Sequence, residues 1–263
     1  MSSEITSRVG SKNVAPDRRV VIVTGAAGGI GAAICLRMAQ NGWRIVLAAR
    51  TEEVALNVRE TCRAIGTDAE IFAGDVTEAQ YISALVDFAS SHFGRLDGFV
   101  SNAGMAGHLE PVTTYPDDVF DRVVAVNVRA TFLALKHSLP ALRISGAGSF
   151  VATASTSAIR GRANLSAYVA SKHAVLGLVR SAALECIGTG ARVNAVLPGP
   201  VQTPLIDSLN ELASKRGSPI VRATQTPYAM PDDVADTVDF LLSEKSSHMN
   251  GASVVLDAGG TVA

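Results

Sequence analysis

Short runs of aliphatic and β-branched residues recur along this chain, each separated from the next by a longer stretch of helical periodicity. Arg19–Val23, Arg44–Ala48, Ala69–Ala73, Gly98–Val100, Ser149–Ala152, Ala191–Leu197 and Ser253–Leu256 show little polar alternation. A strand without alternation has both faces covered, as in a parallel sheet. Helices are predicted near 29–41, 52–65, 78–92, 117–143, 165–187, 204–213 and 231–242. Thr77-Glu78-Ala79-Gln80 fits a capping box, and Pro204 and Pro231 fall at first turns. Repeated β–α alternation predicts a doubly wound α/β sandwich, with a seven-stranded, mainly parallel sheet and helices on both faces. A length of 263 residues, 48% hydrophobic, suits one large domain, expected at 18–263. Residues 1–17 are polar, lack the apolar core of a secretory signal, and read as a flexible tail. Residues 199–229 contain prolines, glycines and a polar Ser214–Ser218 stretch, and read as a substrate loop or lid.

Directly after the first strand stands Thr24-Gly25-Ala26-Ala27-Gly28-Gly29-Ile30-Gly31, followed by an amphipathic helix. Glycine lets backbone turn sharply and approach a pyrophosphate, and the helix N-terminus offers free N–H groups to that anion. No G-K-[ST] follows, which argues against a P-loop. Tyr168 and Lys172, four residues apart, share one face of a predicted helix. Tyr81, Tyr115 and Tyr228 have Leu85, Val119 and Asp232 at that offset, so only Tyr168 has a lysine there. A phenol with a pKa of about 10 is a weak base near neutrality. A lysine cation roughly 4 Å away, at an effective dielectric of about 20, favours phenolate by at most about three pKa units before desolvation opposes it. Ser155, with Thr153, Thr156 and Ser157 as neighbouring alternatives, follows the strand Ser149–Ala152. Asn127 has Val123, Val124, Ala130 and Thr131 three and four residues away, so its amide is expected to be buried and in need of partners.

In order along the chain, the T-G-x-x-x-G-x-G turn, Asn102-Ala103-Gly104, the Tyr168-x-x-x-Lys172 pair and the Pro198-Gly199-Pro200-Val201-Gln202-Thr203 segment resemble the short-chain dehydrogenase/reductase family. The resemblance implies a Rossmann-type fold and an oxidoreductase that moves a hydride between a nicotinamide dinucleotide and an alcohol or carbonyl. It implies that Gly25, Gly29, Ile30 and Gly31 hold the dinucleotide, with Asp75 and Val76 at the adenine. Asn102, Ala103 and Gly104 would lie beside the cofactor, although Ser101 replaces the asparagine frequent there. Pro198, Gly199, Val201 and Thr203 would hold the carboxamide. Tyr168 would be the general acid and base, Lys172 would also bind the ribose hydroxyls, and register would select Ser155 for the substrate oxygen. Asn127 would hold a helix kink and a water linked to Lys172. With Thr77 capping the third helix, Asp75 is expected to be free for the cofactor. Family members form homotetramers through helices corresponding to 117–143 and 165–187, which is the assembly expected here.

Ala49 stands where NAD-preferring relatives place an acid, and Arg50 follows, so NADP(H) is expected over NAD(H). A net charge of −1 gives no global attraction to nucleic acid or an anionic membrane. Three cysteines without a C-x-x-C pair fit a reducing, cytoplasmic setting, and no apolar stretch is long enough to span a bilayer. The five histidines form no metal-ligand motif, so no metal is expected; His108 alone is placed where it could face substrate. Arg160 and Arg162 could anchor an anionic substrate, but surface charge is the favoured reading, and the small-molecule substrate is otherwise undefined. The alternatives are an NAD-dependent epimerase or dehydratase, and a non-catalytic nucleotide-binding regulatory protein.

Overall fold

The structure is a computed structural model that describes residues 18–215 and 227–262. The expected tail and the centre of the expected 199–229 loop lie outside the described residues. Seven strands form one sheet: β1 (Val20–Thr24), β2 (Arg44–Ala49), β3 (Ala69–Ala73), β4 (Gly98–Ser101), β5 (Ser149–Thr153), β6 (Arg192–Pro198) and β7 (Ser253–Leu256). Their order is β3-β2-β1-β4-β5-β6-β7, and every pairing is parallel. The five inner strands are buried throughout, whereas the edge strands β3 and β7 are mostly half-buried. That is why the inner runs tolerate no polar alternation.

Eight α-helices occur among the described residues: α1 (Gly29–Gln40), α2 (Glu52–Ala64), α3 (Ala79–Phe93), α4 (Asp117–Val124), α5 (Ala130–Ile144), α6 (Ser166–Glu185), α7 (Pro204–Lys215) and α8 (Pro231–Leu242). Two apolar layers sandwich the sheet. One joins Ile82 of α3, Leu133 of α5 and Val175 of α6 to Ile22, Phe99 and Phe150 of the strands. The other joins Ile34 and Met38 of α1, Cys62 of α2 and Val238 of α8 to Val21, Leu47 and Val196.

Two local expectations are corrected. The helix predicted over 117–143 is interrupted by a π-turn at Ala125–Arg129, which separates α4 from α5. One inserted residue per turn leaves the apolar pattern nearly intact, so periodicity does not reveal it. The third helix starts at Ala79, and its N-cap residue Glu78 supplies no side-chain cap. Thr77 is therefore outside the helix. Its backbone N and hydroxyl both donate to Asp75 Oδ1, each at 2.8 Å, so Asp75 closes an Asx turn rather than standing free.

Candidate active site

Strand β1 lies between β2 and β4, the point where the winding reverses and a crevice opens beyond the strands' carboxyl ends. The loops leaving β1, β4, β5 and β6 meet there around a cavity of about 420 Å³. Thr24, the last residue of β1, organises its floor. Its Oγ1 accepts from the backbone N of Asn102 (3.0 Å) and Ala103 (3.1 Å) and donates to Val100 O (3.3 Å). The Asn102 amide donates back to Thr24 O at 3.1 Å and Gly25 O at 3.4 Å. Thus the Asn102-Ala103-Gly104 segment is tied to the glycine turn. In the sequence, the only signal for this work of Thr24 is its position immediately before the first glycine.

The glycine turn is built so that nothing fills it. Gly25 has φ of 66°, and a Cβ there would meet the Ala103 backbone at 3.0 Å. A Cβ on Gly31 would collide with Gly25 O and sit 2.7 Å from Asn102 Nδ2. Gly25, Gly29 and Ile30 face the cavity, while Gly31 supports the turn from behind. The first N–H groups of α1 are directed to the same place, which suits a phosphate. Pro198, Gly199, Val201 and Thr203 form a further wall; Thr203 Cγ2 lies 3.2 Å from a Cβ position on Gly29. The Thr203 hydroxyl donates to Val201 O at 3.2 Å, and its backbone carbonyl accepts from Ile206 N and Asp207 N in the first turn of α7.

Helix α6 opens at Ser166, which puts Tyr168 in its first turn and Lys172 one turn later on the same face. Lys172 is 5% exposed, and its Nζ donates to Thr153 O at 2.8 Å and lies 5.6 Å from the Tyr168 ring centroid. Ser155 also lines the cavity, and its Oγ accepts from Ser157 N at 3.1 Å. Burial raises the Tyr168 phenol above its ordinary value, opposed by hydrogen bonding to Ser155 and by the Arg162 guanidinium. Desolvation, expected to oppose a cation's pull on the phenol, is the larger effect in the free protein, and the cation that acts against it is Arg162. The Thr153 hydroxyl, buried at the cavity wall, has no hydrogen-bond partner among the described residues. An unmatched buried hydroxyl in a cavity of this size fits a bound polar ligand.

Of the remaining predicted residues, Gly104 lines the cavity, whereas Asn127, Arg50, Asp75, Val76 and His108 do not. Gly104 sits between Asn127 Oδ1 and Lys172 Nζ, at 3.2 and 3.6 Å from its Cβ position. Asn127, 1% exposed on the π-turn, accepts from Met105 N and donates to Met105 O and Ser171 Oγ, all at 2.9 Å. Its side chain thus ties the loop after β4 to α6 and makes no hydrogen bond with Lys172. Arg50 is exposed after β2, close enough for its charge to help lower the Asp75 carboxyl beneath the two Thr77 hydrogen bonds. Asp75 and Val76 follow β3 and are absent from the cavity wall. His108 is exposed and does not line the cavity either. Arg162, read from sequence as surface charge, does line it.

A family profile described as enoyl-(acyl carrier protein) reductase matches residues 25–261. Levodione reductase of Leifsonia aquatica is 34% identical over 253 residues, covering 93% of this chain and 95% of that protein. Cyclohexanol dehydrogenase of Acinetobacter sp. (strain SE19) is 36% identical over 245 residues, covering 93% and 96%. The crystal structure of levodione reductase superposes with a TM-score of 0.89 at 32% identity, covering 93% of this chain and 98% of that one. The chain belongs to the short-chain dehydrogenase/reductase family. As a short-chain dehydrogenase/reductase it is an oxidoreductase acting between alcohols and carbonyls. Similar structures include NAD⁺-bound xylitol dehydrogenase (TM-score 0.86, 32% identity, 90% and 96% covered). Another is an actinorhodin polyketide ketoreductase variant with NADPH (0.85, 31%, 93% and 97%), so the fold accepts either dinucleotide. No described helix is long and apolar enough to cross a membrane.

Burial pushes the Lys172 ammonium of this short-chain dehydrogenase/reductase down from 10.5 to about 8. Between those values the unfolded chain binds more protons than the folded one, so stability rises with pH across that window and the gain is lost as pH falls through about 8. The expected rise is about 3 kcal/mol. Urea unfolding of the ligand-free protein at several pH values from 7.5 to 10 is expected to show it in the wild type and not in Lys172→Met. Parallel curves for the two proteins would reject it.

Proposed function

We propose that this enzyme uses NADP(H) in preference to NAD(H) and that Asn127, Ser155, Tyr168 and Lys172 form its catalytic set. The supporting observation is the single cavity that carries both the glycine turn and the Tyr168–Ser155 pair. The glycine turn, Asn102 to Gly104 and the Pro198 to Thr203 segment hold the dinucleotide. Asp75 and Val76 receive its adenine end, and Arg50 receives the 2′-phosphate where Ala49 leaves no opposing acid. The bound nicotinamide supplies the hydride or accepts it. Ser155 orients the substrate oxygen by hydrogen bonding. Tyr168 donates a proton to that oxygen in reduction and withdraws it in oxidation. Lys172, held to Thr153 O, fixes the ribose and adds positive charge beside the phenol. Asn127 acts through position, because its amide ties Met105, on the loop after β4, to Ser171 on that lysine's own helix.

Residues 18–263 act as one catalytic unit in this reading, with 199–229 as the substrate loop; α7 contributes Leu205, Ile206 and Leu209 to the cavity. Three free, buried cysteines support a cytoplasmic setting. Exposed Phe120 on α4, Phe132 on α5 and Leu184 on α6 support a homotetramer assembled through those helices. The test is a panel of ketones and alcohols followed at the reduced-nicotinamide absorbance with both cofactors. Higher kcat/KM with NADPH than with NADH is expected. A tenfold preference for NADH overturns the cofactor assignment.

A further inference from the structure

Among the described residues, Arg162 is a cation without a carboxylate partner. It lies on the loop between β5 and α6, seven residues after Ser155 and six before Tyr168, and lines the same cavity as both. The chain turns beneath it at Asn164, whose φ of 64° is a left-handed conformation that asparagine tolerates. Leu165 is thereby bridged to Glu110 at the cavity's apolar side. Arg162 is half-buried, and its Nε donates to Ser157 Oγ at 3.1 Å and its Nη2 to Thr156 Oγ1 at 3.5 Å. These bonds use two of the five N–H donors of a guanidinium. Among the described residues it joins no ion pair, and no aspartate or glutamate lines the cavity.

Neighbouring charges deepen the imbalance. Arg160 is turned away, with its Nη1 donating to Gly260 O at 2.6 Å, yet its charge still repels that of Arg162. Lys172, the other cation on the wall, is committed to Thr153 O. Removing an unpaired guanidinium from water is costly, and it persists where a partner of opposite charge arrives in function. The dinucleotide's phosphates go to the glycine turn, on a different loop. What remains for Arg162 is the substrate.

We infer that Arg162 anchors a carboxylate on the substrate, so that the preferred alcohols and ketones carry an acid group away from the reacting carbon. This rests on the oxidoreductase reading of the same cavity and names the substrate class within it. The apolar wall of Leu165, Ile206 and Leu209 receives the carbon body, Tyr168 and Ser155 receive the reacting oxygen, and the guanidinium receives the acid as a planar, two-point partner.

The test uses ketones that differ only in a carboxylate against a primary carboxamide: one ring pair, 4-oxocyclohexanecarboxylate and its amide, and one open-chain pair, levulinate and levulinamide. Wild-type enzyme is expected to favour the carboxylate by about tenfold or more in kcat/KM, mainly through KM, in at least one pair. In Arg162→Met that ratio falls to about one, and Arg162→Lys restores part of it. A role confined to folding, or to tuning Tyr168, would lower both members of a pair together and leave the ratio unchanged, which overturns the anchor. So does equal use of both members by the wild type. Calorimetry with two unreactive ligands, cyclohexanecarboxylate and cyclohexanecarboxamide, tests the anchor apart from the reaction. Carboxylate binding about tenfold tighter supports the anchor even if no ketone is turned over with either dinucleotide, an outcome that would sink the redox reading. Equal affinities overturn the anchor while leaving that reading intact.

Discussion

Tyr168→Phe is expected to lower kcat/KM by about 10²–10⁴-fold, the range lost with a positioned general acid or base. The fold should survive the change. The ring packs with Ala106, Leu109 and Leu165, and phenylalanine keeps that contact. Binding of the reduced dinucleotide, followed by its fluorescence, is expected to change by less than about threefold, because the loss falls on the proton and not on the cradle. A variant retaining more than about a third of wild-type kcat/KM would dismiss the phenol as proton donor. The direction of the Tyr168 shift adds a pH signature. Burial raises the phenol in the free enzyme, so at neutrality it holds the proton that reduction requires. Oxidation requires the deprotonated form. Oxidative kcat/KM is therefore expected to climb as pH rises toward the phenol's value, while reductive kcat/KM falls over the same range.

Gly31→Ala is the second large effect. Its new methyl would strike Gly25 O and crowd Gly25 C and Asn102 Nδ2 at 2.8 and 2.7 Å. The first two are backbone atoms of the turn itself, so no rotamer change relieves the clash. The turn must open. Overpacking of this kind costs about 1–3 kcal/mol, or several degrees in melting temperature for a chain of this size. Dinucleotide affinity is expected to fall by about 100-fold, since the N–H groups of α1 no longer converge. Gly28 supplies the control: it is extended, with φ of −175°, and a Cβ there meets nothing within 4 Å. Gly28→Ala is expected to melt within about a degree of wild type. Thermal melting of both variants checks the clash, and fluorescence titration of Gly31→Ala checks the cradle; wild-type affinity in Gly31→Ala would show that the turn is not the cradle described.

The sheet was legible because its strands are covered on both faces and say so in uninterrupted apolar letters. Each inner run was nevertheless read as ending too early. Thr24, Ala49, Ser101, Thr153 and Pro198 close their strands, one position beyond the last residue assigned from sequence. Three of these are hydroxyl residues, and an apolar criterion stops just before them. Thr24 and Thr153 are also where the site begins, so its floor was the part the pattern hid. The burial of Asn127 is legible in its neighbours and a helix kink there in the family resemblance, but periodicity does not show that the kink is a π-turn, because a helical period barely registers one extra residue. Asp75 was assigned the wrong freedom through a one-residue error in the start of α3. For Arg162 the sequence leaves two readings, surface charge and an anchor for an anionic substrate, and only the fold places it on the cavity wall. Between the 3₁₀ turn at Thr156–Ala158 and the start of α6 at Ser166 there is no periodic element, and linear spacing does not tell which side chains of a folded loop turn inward.

The central place of β1 has a consequence for biosynthesis. Its partners are β2, close behind it in the chain, and β4, whose first paired residue is Gly98. A nascent chain that has released only the first three strands can zip β1 to β2 and β2 to β3, yet one flank of β1 stays bare. Val20, Val21, Ile22 and Val23 then border an open hydrogen-bonding edge, the kind that recruits foreign strands. Ribosomal pausing before β4 emerges would prolong that exposure, and chaperone demand is expected to concentrate in this interval of synthesis.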